Sequence, residues 1–422
     1  MANDTTTTLS ALFKIVQDNY LGNDIPRASG PTAALIRDKA KTRMAGGRNL
    51  DTTWAHKSYD GVGMGTLSEG GDFPATASSL GKNFTLALTH QAYAVGVTGH
   101  AQAMGTSSKA SWLRKSLVAE KTEELKQKVG SIRGRFLMND GTPIFARVSV
   151  VSGGADGYIT ISTGSIHMFR KGETITVRDA ASSGSEQLTG GAGSGLIKDI
   201  DYQNGRLYCA DVTGAAASDY IALSGFYDTT VPNGLRNIVA ATGTIQGLVR
   251  TTVGNFLAQA NVKSVSGAIQ SSTVDEIRDL VKEIGGERDD PYTSTWIANY
   301  KTRRWATDAT IGQNRFTDLA LTLGVSEVML NDKSGKRPLM EDPYLRDAEM
   351  FVIDPSQFVT IAPEGMEGGE FVTNADGSVL FQQTAASGAG YADAKLMYYV
   401  DRWNIGCDNF RVQAYASGFS AP

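Results

Sequence analysis

The residue types that most often carry metal or nucleophilic chemistry are sparse in this 422-residue chain: four histidines, His56, His90, His100 and His167, and two cysteines, Cys209 and Cys407. Three histidines can hold a zinc ion, but these four are scattered over strand and loop contexts, where surface or hydrogen-bonded core roles are commoner. The cysteines lie far apart, outside any metal spacing, and read as small buried hydrophobes of a reducing compartment. Gly61-Val-Gly-Met-Gly65 spaces two glycines as a dinucleotide fingerprint does, yet it neither follows a buried strand nor opens a helix. Gly191-Ala-Gly-Ser-Gly195 lacks the strand before and the helix after that make a nucleophile elbow. No phosphate loop of the Gly-x-x-x-x-Gly-Lys-Ser/Thr type and no His-Glu-x-x-His occurs. No catalytic, cofactor-binding or metal-ligating set emerges, and no enzymatic activity is expected.

With no reactive constellation to position, the elements themselves hold the information. The chain exceeds what one core usually supports, so two or three domains are expected. It has 47 glycines against 11 prolines, which favours flexible loops. The formal net charge of −4 argues against a dedicated nucleic-acid binder. Its distribution is uneven. Residues 1–50 carry seven basic and four acidic side chains, a net +3, and residues 107–139 carry eight and three, a net +5. Residues 340–422 carry twelve acidic and four basic, a net −8. If the basic segments share a face, it attracts polyanions; taken singly, each is more simply a solvated helix face. The N-terminus lacks a basic stretch followed by an apolar one, and no run of about 18 apolar residues occurs, so neither a signal peptide nor a membrane span is expected.

Residues 9–20 repeat at helical spacing through Leu9, Leu12, Phe13, Val16 and Tyr20, and a short basic helix is expected around Ala33–Met44. From Phe84 the period becomes two, through Phe84, Leu86 and Leu88, and after a break at His90-Gln91 through Tyr93, Val95 and Val97. Beyond Ser107 it turns helical, with Leu113, Leu117, Leu125, Val129, Ile132 and Phe136 in one stripe over about 30 residues, roughly 45 Å of helix. Residues 141–232 read as short strands: Tyr158–Ser162, Thr174–Arg178, Ile197–Tyr202, Leu207–Ala210 and Tyr220–Leu223. Asn204-Gly205 is a two-residue hairpin signal, and Ser182–Gly195 reads as an exposed loop. An amphipathic helix is expected over Val274–Ile284, with a Thr273/Glu276 capping box and Gly285 as its stop. Further strands are expected at Thr295–Asn299, Ser326–Leu330, Met350–Ile353, Phe358–Ala362, Leu396–Val400 and Phe410–Ala414.

The ribbon Gly61-Val-Gly-Met-Gly-Thr-Leu-Ser-Glu-Gly-Gly-Asp-Phe-Pro74 has little apolar surface of its own and needs a partner surface to lie on. Gly65–Pro74, the strands through Ala87–Gly99 and the charged helix 107–139, in that order, resemble the extended loop and spine helix of tailed-bacteriophage major capsid proteins with the HK97-like fold. Thr295-Trp-Ile-Ala-Asn-Tyr300 and Asp342-Pro-Tyr-Leu-Arg-Asp-Ala-Glu-Met-Phe-Val-Ile-Asp-Pro355 are similar to central-domain strands of the same family. The resemblance implies an α+β fold with an N-terminal arm (1–50), an extended loop (51–92), a peripheral domain with the spine helix (93–140), an axial domain (243–390) and a return to the peripheral domain (391–422). A small all-β domain (141–232) is inserted.

The implied function is a structural shell protein that assembles into hexamers and pentamers of an icosahedral capsid around double-stranded DNA. Its implied partners are further copies of itself, a scaffolding protein, the portal, packaged DNA and a decoration protein; its location is the virion, after assembly in the bacterial host cytoplasm. The absence of a fused, charge-rich N-terminal segment points to a separate scaffold, and Met1 leans away from trimming. In the loop, Leu67 and Phe73 are expected as apolar anchors and Glu69, Asp72 and Lys82 as ion-pair partners on a neighbouring subunit. Arg37, Lys39, Lys41, Arg43, Lys121, Lys126 and Lys128 are expected to face DNA without reading sequence. Some relatives cross-link a lysine to an asparagine; Lys82 lies in the corresponding loop but has no identifiable partner or base, so no cross-link is expected. The same fold builds encapsulin-like nanocompartments, which is the alternative reading; a β-domain binding module or an enzyme ranks below it.

Overall fold

The computed structural model describes residues 6–7, 30–44, 51–59, 80–98, 117–154, 156–190, 193–227, 229–285, 294–311, 329–332, 335–363, 369–373, 380–384 and 391–420. The expected helix at 9–20, the Gly61–Pro74 ribbon and residues 107–116 of the charged helix lie outside them.

A 17-residue strand, Tyr391–Cys407, organises the first sheet. It runs antiparallel to Thr89–Thr98, with Trp403 opposite Thr89 and Ala394 opposite Thr98. Its C-terminal end pairs with Phe358–Ala362, which in turn takes Lys41–Met44 as a parallel partner. Burial alternates through Met397, Tyr399, Asp401 and Trp403 and then becomes continuous over Trp403–Cys407, where the strand is covered on both faces. The Leu117–Leu137 helix packs on this sheet against Thr89–Thr98. Its Leu125, Val129, Ile132 and Phe136 are buried as the stripe predicts, while Glu123, Glu124, Lys126 and Lys128 face water. The 21 described residues span about 32 Å.

The predicted strand break at His90-Gln91 falls two residues earlier, at Leu88. The chain changes partners there. Leu80–Ala87 pairs with Asp51–Tyr59 in a separate two-stranded sheet, whereas Thr89 onward joins the long strand. The Asn404 amide donates to the Ala87 carbonyl at 2.7 Å, and the Thr89 hydroxyl to the Trp403 carbonyl at 2.5 Å, so the crossing point is fixed by side chains.

Between Ile144 and Leu223 six strands pair only with one another, in spatial order Ile175–Arg178, Tyr220–Leu223, Ile144–Ser152, Tyr158–Thr163, Arg206–Cys209 and Ile197–Asp201. Asn204-Gly205 does turn a hairpin, but through four residues, because Asp201 pairs with Arg206 and its carboxylate accepts from the Gln203 and Asn204 N–H groups at 3.0 and 3.1 Å. Its buried side chains, among them Ile159, Val177, Leu207 and Ile221, continue into the core under the long helix. Phe136 of the long helix lies 5.1 Å from Phe145 and 5.2 Å from Phe226, ring to ring, and one apolar cluster runs through both units.

A third, mixed sheet has the order Asn261–Ala268, Ala414–Ser420, Glu349–Ile353, Thr295–Ala298, Gly335–Glu341 and Met329–Asp332. The helices Ser271–Gly285 and Tyr300–Ile311 lie against it over a second cluster that includes Val274, Ile277, Trp296, Met350, Val352 and Phe419. The Ser271–Gly285 helix starts before the predicted capping box: Val274 already donates back to the Gln270 carbonyl, and Glu276 pairs instead with Lys263 at 2.8 Å. Tyr300–Ile311 was not predicted; Asn299 caps it, its side-chain oxygen accepting from the Thr302 N–H at 2.7 Å. The strand predicted at Phe410–Ala414 begins only at Ala414, because Asn409 and Gln413 turn the chain with side-chain bonds to the Arg411 and Asp354 N–H groups.

Candidate assembly surfaces

Of the five residues expected to contact a neighbour, Leu67, Glu69, Asp72 and Phe73 lie outside the described residues. Lys82 is exposed on the Leu80–Ala87 strand, opposite His56 in the hairpin register. On that strand Phe84 and Leu86 are buried whereas Lys82, Asn83, Thr85 and Ala87 face out.

The two basic segments do come together, since the Pro31–Lys39 helix packs against the Leu117–Leu137 helix. Arg37, Lys39, Lys126 and Lys128 are exposed; Arg37 pairs with Asp38 at 3.1 Å, and Lys126 stands over the Phe371 ring at 5.8 Å. Lys41 and Arg43 share Asp408, at 3.1 and 3.5 Å, so part of their charge is spent locally. Lys121 turns inward: its side chain is 9% exposed and held by Glu124 at 2.6 Å.

Three buried ionic groups lock these elements to the body. Asp401 points into the core from the long strand and takes a bidentate pair from Arg133 of the helix, with Nε–Oδ2 at 2.6 Å. Burial alone would lower the Arg133 pKa, but the bond and charge of Asp401 prevail and raise it. Arg135, two residues on, faces the other way and forks onto Glu173 at 2.7 Å for each bond, joining the helix to the six-stranded sheet. Asp342 caps the Pro31–Lys39 helix from across the sequence, accepting from the Thr32 N–H at 3.2 Å and the Tyr344 N–H at 3.0 Å. Burial raises the pKa of that carboxyl. A Cβ on Gly30 would come within 2.7 Å of Asp342 Oδ2, so the cap requires glycine there.

Residues 242–260 form a braced loop that the sequence reading passed over. Gln246 and Gly247, at φ +48° and +81°, make the two-residue turn between Thr244–Ile245 and Leu248–Val249. Gln246 is held in that strained conformation because its carbonyl accepts from the Thr85 N–H at 2.9 Å and its side chain from the Cys407 N–H at 3.2 Å.

Cys209 and Cys407 are both buried, as expected, and burial pushes the Cys209 thiol up to about 12. Among the described residues no group of three or more His, Cys, Asp or Glu side chains is arranged to hold a metal, and no helix is long and apolar enough to cross a membrane.

No protein-family model matches the sequence, and no curated protein matches it. Solved structures do. A chain of the cyanophage A-1(L) capsid is 10% identical, with 99% of this chain and 97% of that one covered at a TM-score of 0.51. A capsid chain of the native GTA particle is 10% identical, with 96% and 98% covered at 0.48. The SrpI encapsulin of Synechococcus elongatus PCC 7942 is 9% identical, with 96% and 95% covered at 0.43. Of these three, the cyanophage match carries the fold assignment, over nearly the whole of both chains. The chain therefore has the fold of a phage capsid protein, and the HK97-like resemblance read in the sequence is borne out at the level of the fold.

Proposed function

We propose that this chain is the structural shell protein of a tailed phage, assembling into hexamers and pentamers of an icosahedral capsid around double-stranded DNA in the host cytoplasm. The observation that carries this reading is the end-to-end match to a cyanophage capsid chain. The reading is non-enzymatic. Phe84 and Leu86 anchor the Leu80–Ala87 strand in its own subunit, while the Gly61–Pro74 ribbon, with little apolar surface of its own, gains area on a neighbouring copy in this reading. Leu67, Glu69, Asp72, Phe73 and Lys82 then make that contact, while Lys39, Lys126 and Lys128 supply moderate positive charge toward DNA. Arg37, Lys41, Arg43 and Lys121 add less, since acidic side chains of the same chain already hold them. Residues 141–232 act as an accessory unit, and a scaffolding protein, portal and decoration protein are the remaining proposed partners.

Expression of the chain alone and with neighbouring genes, followed by sedimentation and electron microscopy of the heavy fraction, tests the reading. Closed shells are expected; a chain that stays monomeric or dimeric in every combination contradicts it.

A further inference from the structure

Loop 242–260 spends a buried arginine on its own shape. The Arg250 side chain is fully enclosed and donates to four carbonyls: Ala258 at 2.8 Å, Thr242 at 2.9 Å, Asn237 at 2.5 Å and Ile238 at 2.9 Å. The Asn255 and Gln259 amides close it further, onto the Val249 carbonyl at 3.0 Å and the Arg250 carbonyl at 2.9 Å. Among the described residues no carboxylate pairs with the guanidinium, and desolvation pulls its pKa down to about 10. A loop held this firmly would be expected to tuck its apolar side chains inward. Its ends do so, with Ile245, Ala258 and Ala260 buried, but its middle does not: Val249 is 46%, Val253 85% and Phe256 46% exposed. These are three of the seven large hydrophobics exposed among the described residues. Gly254, next to Val253, has φ +87°, a conformation that favours glycine.

We propose that residues 249–256 are a preformed apolar contact that packs on a second copy of this chain, a proposal that rests on the shell reading and adds a surface to it. Rigidity set before binding is what a contact surface needs, because little order is lost when it docks. One observation favours a second copy as the occupant. The loop continues the exposed face of the hairpin: it bonds to Thr85, and Lys82 Nζ lies 4.0 Å from where a Cβ on Gly254 would stand. Three exposed side chains fall far short of the roughly 800 Å² per partner that a stable dimer buries. Such a contact is too weak for a free pair and counts only when a closed assembly repeats it.

Val253 suits the test, because its exposure lets it change without disturbing the core and both native cysteines are buried. Val253→Asp is expected to leave a subunit that melts like the native one while lowering the yield of shells at least tenfold. A Val253→Cys variant is expected to react with a maleimide at least tenfold more slowly in shells than in dissociated subunits. Native yield from the first variant together with equal labelling in the second overturns the proposal and leaves the shell reading intact. Protection that appears only when another gene product is present also overturns it, in favour of that partner. If the native chain forms no shells at all, the shell reading fails and this occupant fails with it.

Discussion

Asp401 is the residue on which the long strand and the helix depend together. Its neighbours on the buried face, Tyr399 and Trp403, are aromatic, and a carboxylate there is tolerated only because Arg133 reaches it and also stacks 5.4 Å over the Trp403 ring. Removing one partner leaves a buried charge; removing both does not. Asp401→Ala is therefore expected to cost about 3 kcal/mol in urea denaturation of the subunit, and Arg133→Met with Asp401→Leu to recover most of it. Equal losses in the single and double variants contradict this. Asp342 gives the pH dependence. Its folded carboxyl is raised by burial, so the native state favours its protonated form. The stabilisation linked to that proton is full below the ordinary aspartate range and is lost as pH rises through the raised folded value. The native chain should lose stability relative to Asp342→Asn across that window, whereas a constant difference between the two means that the group does not titrate there. Neither residue was legible beforehand: an aspartate just past an expected strand and one before a proline look like surface and turn residues until the partner 268 or 310 positions away is known.

At the scale of elements, periodicity reported what it could see. The helix stripe through Leu125, Val129, Ile132 and Phe136 and the strands Tyr158–Thr163 and Tyr220–Leu223 stand close to where their spacing put them. The Ile144–Ser152 strand escaped because register shifts at Arg147/Val148 and Val148/Val150 break its alternation. Tyr300–Ile311 escaped because Thr302 and Ala306 are its only fully buried side chains among those described, too small to mark a stripe. Its cap at Asn299 was the available signal. The six-stranded sheet was expected as an inserted domain, and its strands do pair only with each other; yet Phe136, Phe145 and Phe226 share one cluster, and Arg135 is buried against Glu173. Replacing Ile144–Leu223 by a short linker is therefore expected to yield insoluble chain, since Phe136 loses its cover and Arg135 its partner. A soluble deletion variant that melts near the native temperature would show that the sheet is dispensable to the core.

The whole molecule joins its ends through its sheets. Lys41–Met44 from the N-terminal part lies beside Phe358–Ala362, and the last strand, Ala414–Ser420, sits between Asn261–Ala268 and Glu349–Ile353. No local pattern encodes such long-range pairing, and here the order of elements carried more information than any single motif. It led to the fold class; it left the loop at 242–260 unseen, because apolar residues held outward carry no periodic mark. If the shell is held by contacts between copies without covalent bonds, boiled particles should run as monomer-sized bands on a denaturing gel, and a ladder of oligomers would refute that. The most direct measurement is a cryo-electron microscopy reconstruction of the particles formed by this chain. The account predicts a closed icosahedral shell of pentamers and hexamers in which the Asp51–Tyr59/Leu80–Ala87 hairpin of each subunit lies on a neighbour; discrete small oligomers, or a shell in which that hairpin touches only its own subunit, would contradict it.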